Sequence, residues 1–227
     1  MRRLQLIGGT AGVVFAVAVA AELFLFLVVV PALGASTSDL NDTAKYSKLL
    51  AKGQVPFVLE GALFALASAF PFALVRALAE RSRAASPELS AISAPFGYAG
   101  FSLFLVTFTV RVYLALDTQH AVQAIPSLAI LGNALGAAGG VLIGAWVFVV
   151  SLSALTSAAV PRPLAYFGFL VALALVTGAV VPAPVFIPLL LLWSLWVGVV
   201  LLRGPEGSQA GSKLRSSAPA SAQSRGA

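Results

Sequence analysis

Cysteine is absent from the 227 residues of the chain, and His120 is the only histidine. The lack of cysteine excludes disulfides, thiolate metal sites, iron–sulfur clusters and thiol redox chemistry. A single histidine excludes a bis-histidine haem and an HExxH zinc site. We therefore expect neither a metal centre nor a cofactor.

Charged residues are also scarce, at 10% of the chain against 59% hydrophobic residues. A soluble domain carries about 25% charged residues. The apolar runs are continuous and long enough to cross a hydrocarbon layer of about 30 Å as helices. They show none of the alternation that is typical of barrel strands. The sequence therefore predicts an all-α fold, a polytopic transmembrane helical bundle.

We predict six membrane spans within a transmembrane domain at residues 1–203, with an outer loop at residues 34–55. The spans are residues 6–33, 56–78, 96–116, 127–155, 164–181 and 185–202. Pro126 falls beside the start of the fourth span, where a missing N–H is harmless. Pro71 lies inside the second span and is expected to kink it. Residues 204–227 are rich in Gly, Ser, Ala and Pro, so we expect a disordered, basic cytoplasmic tail.

The first span shares features with a secretory signal peptide. Arg2 and Arg3 precede an apolar run, and the run ends in the small-residue segment "PALGA". The apolar run is much longer than the 7–15 residues of a typical signal-peptide core. We therefore interpret it as a retained membrane span.

The outer loop, "STSDLNDTAKYSKLLAKGQ", contains a short helix signal. Asp39 or Asp42 is suited to cap a helix that ends near Gly53. Its weak apolar side predicts a helix resting on the membrane interface; the residues on that side are Leu40, Ala44, Leu49 and Leu50.

Motifs for several kinds of enzyme are missing from the sequence. A rhomboid-like protease needs a GxSG-type serine facing an intramembrane histidine, but His120 is expected in an exposed outer loop. Aspartyl proteolysis needs paired intramembrane aspartates, whereas the three aspartates, Asp39, Asp42 and Asp117, fall in or beside outer loops. No phosphate-binding glycine loop or nucleic-acid motif is present. We expect a non-enzymatic protein without a nucleic-acid partner.

Three ionisable side chains, Glu22, Glu60 and Arg111, and the amide of Asn133 are predicted to lie within the outer half of the spans. At 1.5 Å per residue, Glu60 and Arg111 lie roughly 7 Å deep, Asn133 about 9 Å and Glu22 roughly 16 Å, all in the outer half. A charge at the membrane centre costs at least about 2.5–3.5 kcal/mol, so partners are expected. We predict that Arg111 pairs with Glu60 at a shared depth, with Glu22 and Asn133 below them.

Two interpretations of these charges remain open. Glu22 is either a neutral acid that donates a hydrogen bond or half of a buried ion pair. Intramembrane charges either fix the order of the helices or mark a ligand, ion or proton site. Arg111 also has an alternative, which is to reach the outer interface beside Asp117.

The fourth span carries a regular glycine pattern, "GNALGAAGGVLIGAW". Gly132, Gly136, Gly140 and Gly144 recur every four residues and predict a glycine-zipper ridge that another helix can approach closely. Gly8 and Gly12 form a shorter ridge on the first span and are its expected partner within the chain. The alternative is a homo-oligomer that assembles through the fourth span.

Four aromatic side chains lie near the expected inner ends of spans: Tyr98, Tyr166, Trp193 and Trp196. Such a placement is typical of an interfacial aromatic belt.

The segment "AWVFVVSLSALTSAAVPRPLAYFGFLVALALVTG" carries a resemblance to a known pattern. A helix end of small residues precedes a Val-Pro-Arg turn, and an aromatic-glycine helix start follows. This pattern resembles an uncharacterised family of six-helix bacterial integral membrane proteins, a domain of unknown function, although the resemblance does not extend to Arg111. It implies six helices in a bacterial plasma membrane, and it implies no activity and no functional residue.

Two classes of function follow from the sequence. The first is a non-enzymatic integral membrane protein that acts as a structural, sensing or partner-binding module within the lipid bilayer. The second is a small oligomeric transporter or permease that uses Glu22, Glu60 and Arg111. The spans show no inverted repeat and no paired interrupted helices, so the sequence favours the first class.

The distribution of basic residues predicts the orientation of the chain. With the N-terminus inside, only Lys45, Lys48 and Lys52 among the loop residues fall outside. The cytoplasmic set is Arg2, Arg3, Arg76, Arg81, Arg83, Arg162, Arg203, Lys213, Arg215 and Arg225. We expect a C-terminal reporter that fluoresces only in the cytoplasm to be bright, and a dark reporter would reverse the assigned topology.

Overall fold

The computed structural model describes residues 2–36, 43–84, 86–116, 118–157, 160–180 and 186–203. Every regular element in these ranges is helical. Six helical segments are long and apolar enough to cross a membrane: Arg2–Ala32, Gln54–Arg83, Pro87–Leu116, Ile130–Thr156, Arg162–Ala179 and Phe186–Arg203. The predicted helical bundle of six spans is confirmed. The tail at residues 204–227 lies outside the described residues.

The first span contains α1 (Arg2–Phe24), a π-helical segment (Leu25–Val29) and α2 (Val30–Ala32). Pro31 follows the π-helical segment, and in a regular α-helix its ring would clash with the carbonyl of Leu27 within that segment. The N–H of Val30 instead bonds to the carbonyl of Leu25, five residues earlier. Such wider turns inside α-helices occur frequently at functional sites.

The small-residue segment at residues 31–35 ends this span as a Schellman motif. The N–H of Ala35 bonds to the carbonyl of Val30 at 3.2 Å, and the N–H of Gly34 bonds to that of Pro31 at 2.9 Å. Gly34 has a φ of 77°, in the left-handed region that glycine adopts without a Cβ clash. The segment therefore turns the chain out of the first span.

The predicted loop helix is present as α3 (Thr43–Lys52), which is followed by Gly53. Leu49 and Leu50 are buried against Phe57 of the second span and residues near the end of the first. The apolar side of α3 therefore packs on the bundle, and the expectation that it rests on the interface is wrong for these two leucines. The expected caps, Asp39 and Asp42, lie outside the described residues, as do Leu40 and the side chain of Ala44.

Pro71 divides the second span into α4 (Gln54–Ala67) and α5 (Pro71–Arg83), which confirms the predicted break. The turn between them is buried at Ser68, whose hydroxyl donates to the carbonyl of Phe64 at 2.7 Å. That hydrogen bond satisfies a polar group that the surrounding apolar side chains cannot.

The remaining spans are α6 (Pro87–Leu116), α7 (Thr118–Ser157), α8 (Arg162–Val180) and α9 (Phe186–Arg203). The expectation of a loop around His120 is wrong, because the backbone is helical from Thr118 onward. Pro126 accordingly lies inside α7 and not beside its start. The apolar runs predicted the third and fourth spans correctly. They did not predict that α6 begins earlier, at Pro87, and that α7 begins earlier, at Thr118, because the residues there are more polar.

The spans pack in sequence order around a closed ring. Each span lies along the next, from α1 beside α4 and α5 to α8 beside α9, and α9 returns to α1. Large apolar side chains such as Leu27, Ile130 and Leu173 remain more than 60% exposed on the outside. Monomeric soluble proteins rarely expose contiguous apolar surface of this kind, so the exterior is suited to lipid.

A column of aromatic side chains fills the centre of the helical bundle. Phe15 packs on Phe101 (5.4 Å between centroids), Phe101 on Trp146 (5.5 Å) and Trp146 on Trp193 (5.4 Å). The four side chains come from the first, third, fourth and sixth spans, and all are buried. Their edge-to-face contacts are the geometry that aromatic quadrupoles favour.

The aromatic-belt prediction is wrong for Trp193, which is 2% exposed within this column. Gly168 of α8 provides the room, because a Cβ there would lie 3.1 Å from the Trp193 Nε1. Trp196 and Tyr166 are 41% and 61% exposed, as a belt requires. Tyr98 is half-buried and stacks on Phe72.

The fourth-span glycines serve two neighbours and do not form a single ridge. The nearest atoms to Gly132 and Gly136 belong to Val110 and Thr107 of α6. A Cβ on Gly140 or Gly144 would instead meet carbonyl oxygens of α8, at 3.6 Å and 3.0 Å. Four residues turn a helix by about 40° beyond a full turn, so the row rotates by about 120° over its length.

Gly8 and Gly12 do not pair with this row, so that expectation is wrong. Gly8 lies against Ala77 of α5, and Gly12 lies against Gly198 of α9. The backbones of α6 and α7 approach closely at Gly100, where a Cβ would lie 3.0 Å from the carbonyl oxygen of Gly139.

One end of the bundle gathers the basic residues. Gly8 and Gly9 of α1 contact Ala77 of α5 and Leu202 of α9, so the start of the first span adjoins the ends of the second and sixth. The Ser86 and Thr156 hydroxyls are 3.0 Å apart, so the end of the fourth span lies at this end of the bundle too. The basic residues in the helix turns at this end are Arg2, Arg3, Arg81, Arg83, Arg162 and Arg203. The N-in and C-in orientation would place this end in the cytoplasm, and it stays a prediction.

The glycine crossings predict a contrast between two substitutions. Gly100→Ala places a Cβ 2.9 Å from the backbone nitrogen of Ile143, so α6 and α7 must separate, and we expect a loss of about 1–3 kcal/mol in the free energy of unfolding. Gly136→Ala meets only the Thr107 side chain at 3.5 Å, and we expect a change within about 0.5 kcal/mol. Unfolding by SDS in mixed micelles measures both, and equal losses would contradict this assignment of the crossing.

Candidate functional site

Of Glu22, Glu60, Arg111 and Asn133, the structure brings Glu22 and Arg111 together. The Arg111 Nη1 on α6 lies 3.4 Å from the Glu22 Oε1 on α1 and donates a hydrogen bond to it. Glu22 was expected below Arg111, with Glu60 as the partner. The backbone of Glu60 lies in α4, but its side chain is outside the described residues, so a Glu60–Arg111 pair stays a prediction.

The two members of the pair differ in burial. The Glu22 side chain is 6% exposed, because Glu22 continues the buried face of α1 that contains Phe15, Ala18 and Val19. The Arg111 side chain is 38% exposed and reaches inward from the third span. Of the two interpretations of Glu22, this geometry matches half of a buried ion pair.

An aromatic ring supports the guanidinium. The Arg111 Cζ lies 5.0 Å from the centroid of the Phe108 ring, one helical turn earlier on α6. Phe108 in turn packs on Phe64 of the second span, with 4.0 Å between the ring centroids. A cation over an aromatic face gains about 0.5–2 kcal/mol, most where water is excluded. Side chains from three spans therefore hold the guanidinium of Arg111 in position.

A small apolar cluster lies beyond the pair, toward the end of the bundle opposite the basic residues, and we call it the outer cap after the predicted topology. It consists of Leu25, Val30, Leu49, Leu50, Phe57 and Ala115. Leu25 begins the π-helical segment one turn after Glu22, and Ala115 lies one turn after Arg111. The outer cap thus joins the first span, α3, α4 and α6 just beyond the charges, and it lowers the polarity around them.

Gln54 fixes the end of α6 beside this cluster. Its side-chain amide donates hydrogen bonds to the carbonyl oxygens of Ala115 and Leu116. The last carbonyls of a helix have no partner within the helix, so a donor from α4 satisfies them. Gln54 therefore helps to set the position of the helical turn that carries Arg111.

Asn133 and the glycines occupy other places. Asn133 is exposed on α7, and among the described contacts it makes no hydrogen bond with the pair. Gly132 is near Val110, the residue before Arg111, so the fourth span passes at a similar level. The side chain of His120 lies outside the described residues.

Sequence reasoning missed the supporting residues of the site. The spacing of three residues between Phe108 and Arg111 is a usable signal, because such residues share a helix face. Gln54 carries no such signal, because its contact joins residues 61 positions apart.

Comparisons of the chain with family models, curated proteins and solved structures found no match. The resemblance to a six-helix bacterial membrane family therefore stays a prediction.

The pair predicts a coupled response to substitution. Arg111→Gln leaves the Glu22 carboxylate buried without this cation, so we expect a loss of about 2–3 kcal/mol in the free energy of unfolding. Glu22→Gln keeps an acceptor and leaves Arg111 on its ring, so we expect about 1–2 kcal/mol. The double variant should lose less than the sum by about 1–2 kcal/mol.

Unfolding of the four proteins in mixed micelles measures this coupling. The control is Arg83→Gln, because the exposed Arg83–Glu80 pair (3.7 Å) should contribute no more than about 0.5 kcal/mol. Additive losses in the two single variants would show that Glu22 and Arg111 act independently.

Proposed function

We propose that this chain is a non-enzymatic multi-pass protein of the plasma membrane that serves as a structural, sensing or partner-binding module. The observation that carries the proposal is the 3.4 Å contact between Glu22 and Arg111. It joins the first and third spans at the outer half, where a mobile or unpaired charge is costly. The Glu22–Arg111 pair therefore serves to hold α1 and α6 together.

The packed centre supports the same function. The aromatic column occupies the region where four spans meet, and each of its members is buried. Close packing of this kind resists deformation, because interiors without voids have low compressibility. A rigid bundle presents a constant outer surface, which is what a scaffold or a partner-binding module requires.

Self-association through the fourth span is part of this proposal. Gly140 and Gly144 already face α8 inside the chain, so they are not available to a second copy. The surface of α7 that remains exposed contains Asn133, Ala134 and Ala138. Small residues allow close helix approach, and an asparagine can form hydrogen bonds across such an interface.

A small oligomeric transporter or permease that uses Glu22, Glu60 and Arg111 is the second candidate. Two observations favour it: the π-helical segment begins three residues after Glu22, and Arg111 is more than a third exposed. Local π turns and intramembrane charges both occur often at functional sites.

Reconstitution in liposomes separates the two candidates. We expect proton and cation fluxes across liposomes that contain the wild-type protein to equal those of protein-free liposomes, measured with enclosed pH- and cation-sensitive dyes. A flux that Glu22→Gln abolishes and Arg83→Gln retains would overturn the proposal in favour of the transporter. Arg83→Gln is the matched control, because Arg83 is exposed and distant from the pair.

A further inference from the structure

A second arginine, Arg81, is half-buried where the proposed function does not use it. Arg81 lies in the last turn of α5, and its Nη1 is buried with no hydrogen-bond partner among the described residues. Arg81 is four residues after Ala77, the residue that packs on Gly8 of α1. It therefore lies on the α1-facing side of α5, one turn nearer the basic end of the bundle.

The neighbouring charges do not balance Arg81. The carboxylate of Glu80 is 3.7 Å from the guanidinium of Arg83, on the exposed side of α5. In the described part of the chain, no carboxylate lies within ion-pair distance of Arg81. A buried charged donor without a partner is more costly than a buried neutral donor without one, so this position calls for an external acceptor.

The place of Arg81 in the bundle indicates which acceptor. Arg81 lies two residues before the end of the second span at Arg83, so a helix that crosses the bilayer brings it to the level where hydrocarbon meets the lipid headgroups. Leu6 and Ile7 of α1 are exposed at this end and offer an apolar surface for acyl chains. Basic pockets between membrane helices on the cytoplasmic side bind anionic headgroups.

We propose that Arg81 binds the phosphate of an anionic phospholipid between α5 and the start of α1. A guanidinium presents a planar fork of donors that matches two phosphate oxygens. The Arg81 side chain is half-buried, so part of it remains accessible to a ligand. The bound phosphate supplies the acceptor that the Arg81 Nη1 lacks within the described protein.

Binding of defined lipids to the purified full-length chain tests the proposal. Native mass spectrometry in detergent measures the affinity for phosphatidylglycerol, with phosphatidylcholine as the zwitterionic comparison. We expect wild type to prefer phosphatidylglycerol at least fivefold. We expect Arg81→Gln to lose that preference, Arg81→Lys to retain part of it because the charge remains, and the exposed control Arg83→Gln to stay within twofold of wild type.

Three outcomes would overturn the proposal. Equal losses in Arg81→Gln and Arg83→Gln would indicate general surface charge. Stabilisation by millimolar inorganic phosphate without any preference for phosphatidylglycerol would assign the site to a free anion. The third outcome concerns Glu206, which is the only acidic residue after Arg203 and could act as an acceptor from within the chain. If Glu206→Gln lowered the stability of the lipid-free protein as much as Arg81→Gln, the chain itself would supply the acceptor.

Discussion

Hydrocarbon cannot solvate a polar group, and the whole structure follows from that constraint. Every backbone N–H and carbonyl in a span must find a partner within the protein, so the spans are helices. Hydroxyl groups follow the same rule by bonding to a carbonyl four residues earlier. The examples are Ser68 to Phe64, Thr107 to Leu103, Thr109 to Leu105, Thr177 to Leu173 and Ser194 to Leu190. The Glu22–Arg111 pair and the Gln54 cap extend the rule to contacts between helices.

Burial of apolar surface does not drive these helices together, because lipid is as apolar as a leucine side chain. Helix association must therefore come from close van der Waals packing, to which glycine and aromatic residues contribute in different ways. Gly100 and Gly139 bring two backbones together, as do Gly12 and Gly198 at the other side of the ring. The space that such crossings leave at the centre is filled by the largest side chains in the chain. Small residues at the seams and aromatic rings at the axis are therefore two parts of one packing solution.

The sequence predicted the elements of the fold better than the contacts between them. Apolar runs locate a span without any knowledge of its neighbours, and Pro71 breaks a helix wherever it lies, so both predictions are confirmed. The partner of Arg111 depends on how α1 and α6 are rotated about their axes, and no local pattern encodes that rotation. Trp193 shows the same limit, since its burial depends on Gly168 in a different span. The prediction of a single glycine ridge on α7 is wrong because residues four apart rotate gradually around a helix. The row therefore faces α6 at one end and α8 at the other.

The two ends of the bundle meet the polar constraint in different ways. At the end opposite the basic residues, the first span, α3, α4 and α6 close around the charges with the outer cap and the Gln54 hydrogen bonds, so the protein supplies the partners itself. At the basic end, Arg81 has a buried nitrogen that the described residues leave without an acceptor. A bundle built in this way has one half whose geometry is set by its own side chains and one half whose stability varies with the surrounding lipid. Such an asymmetry suits a partner-binding module, because the fixed half can hold a constant surface while the other adjusts to the membrane around it.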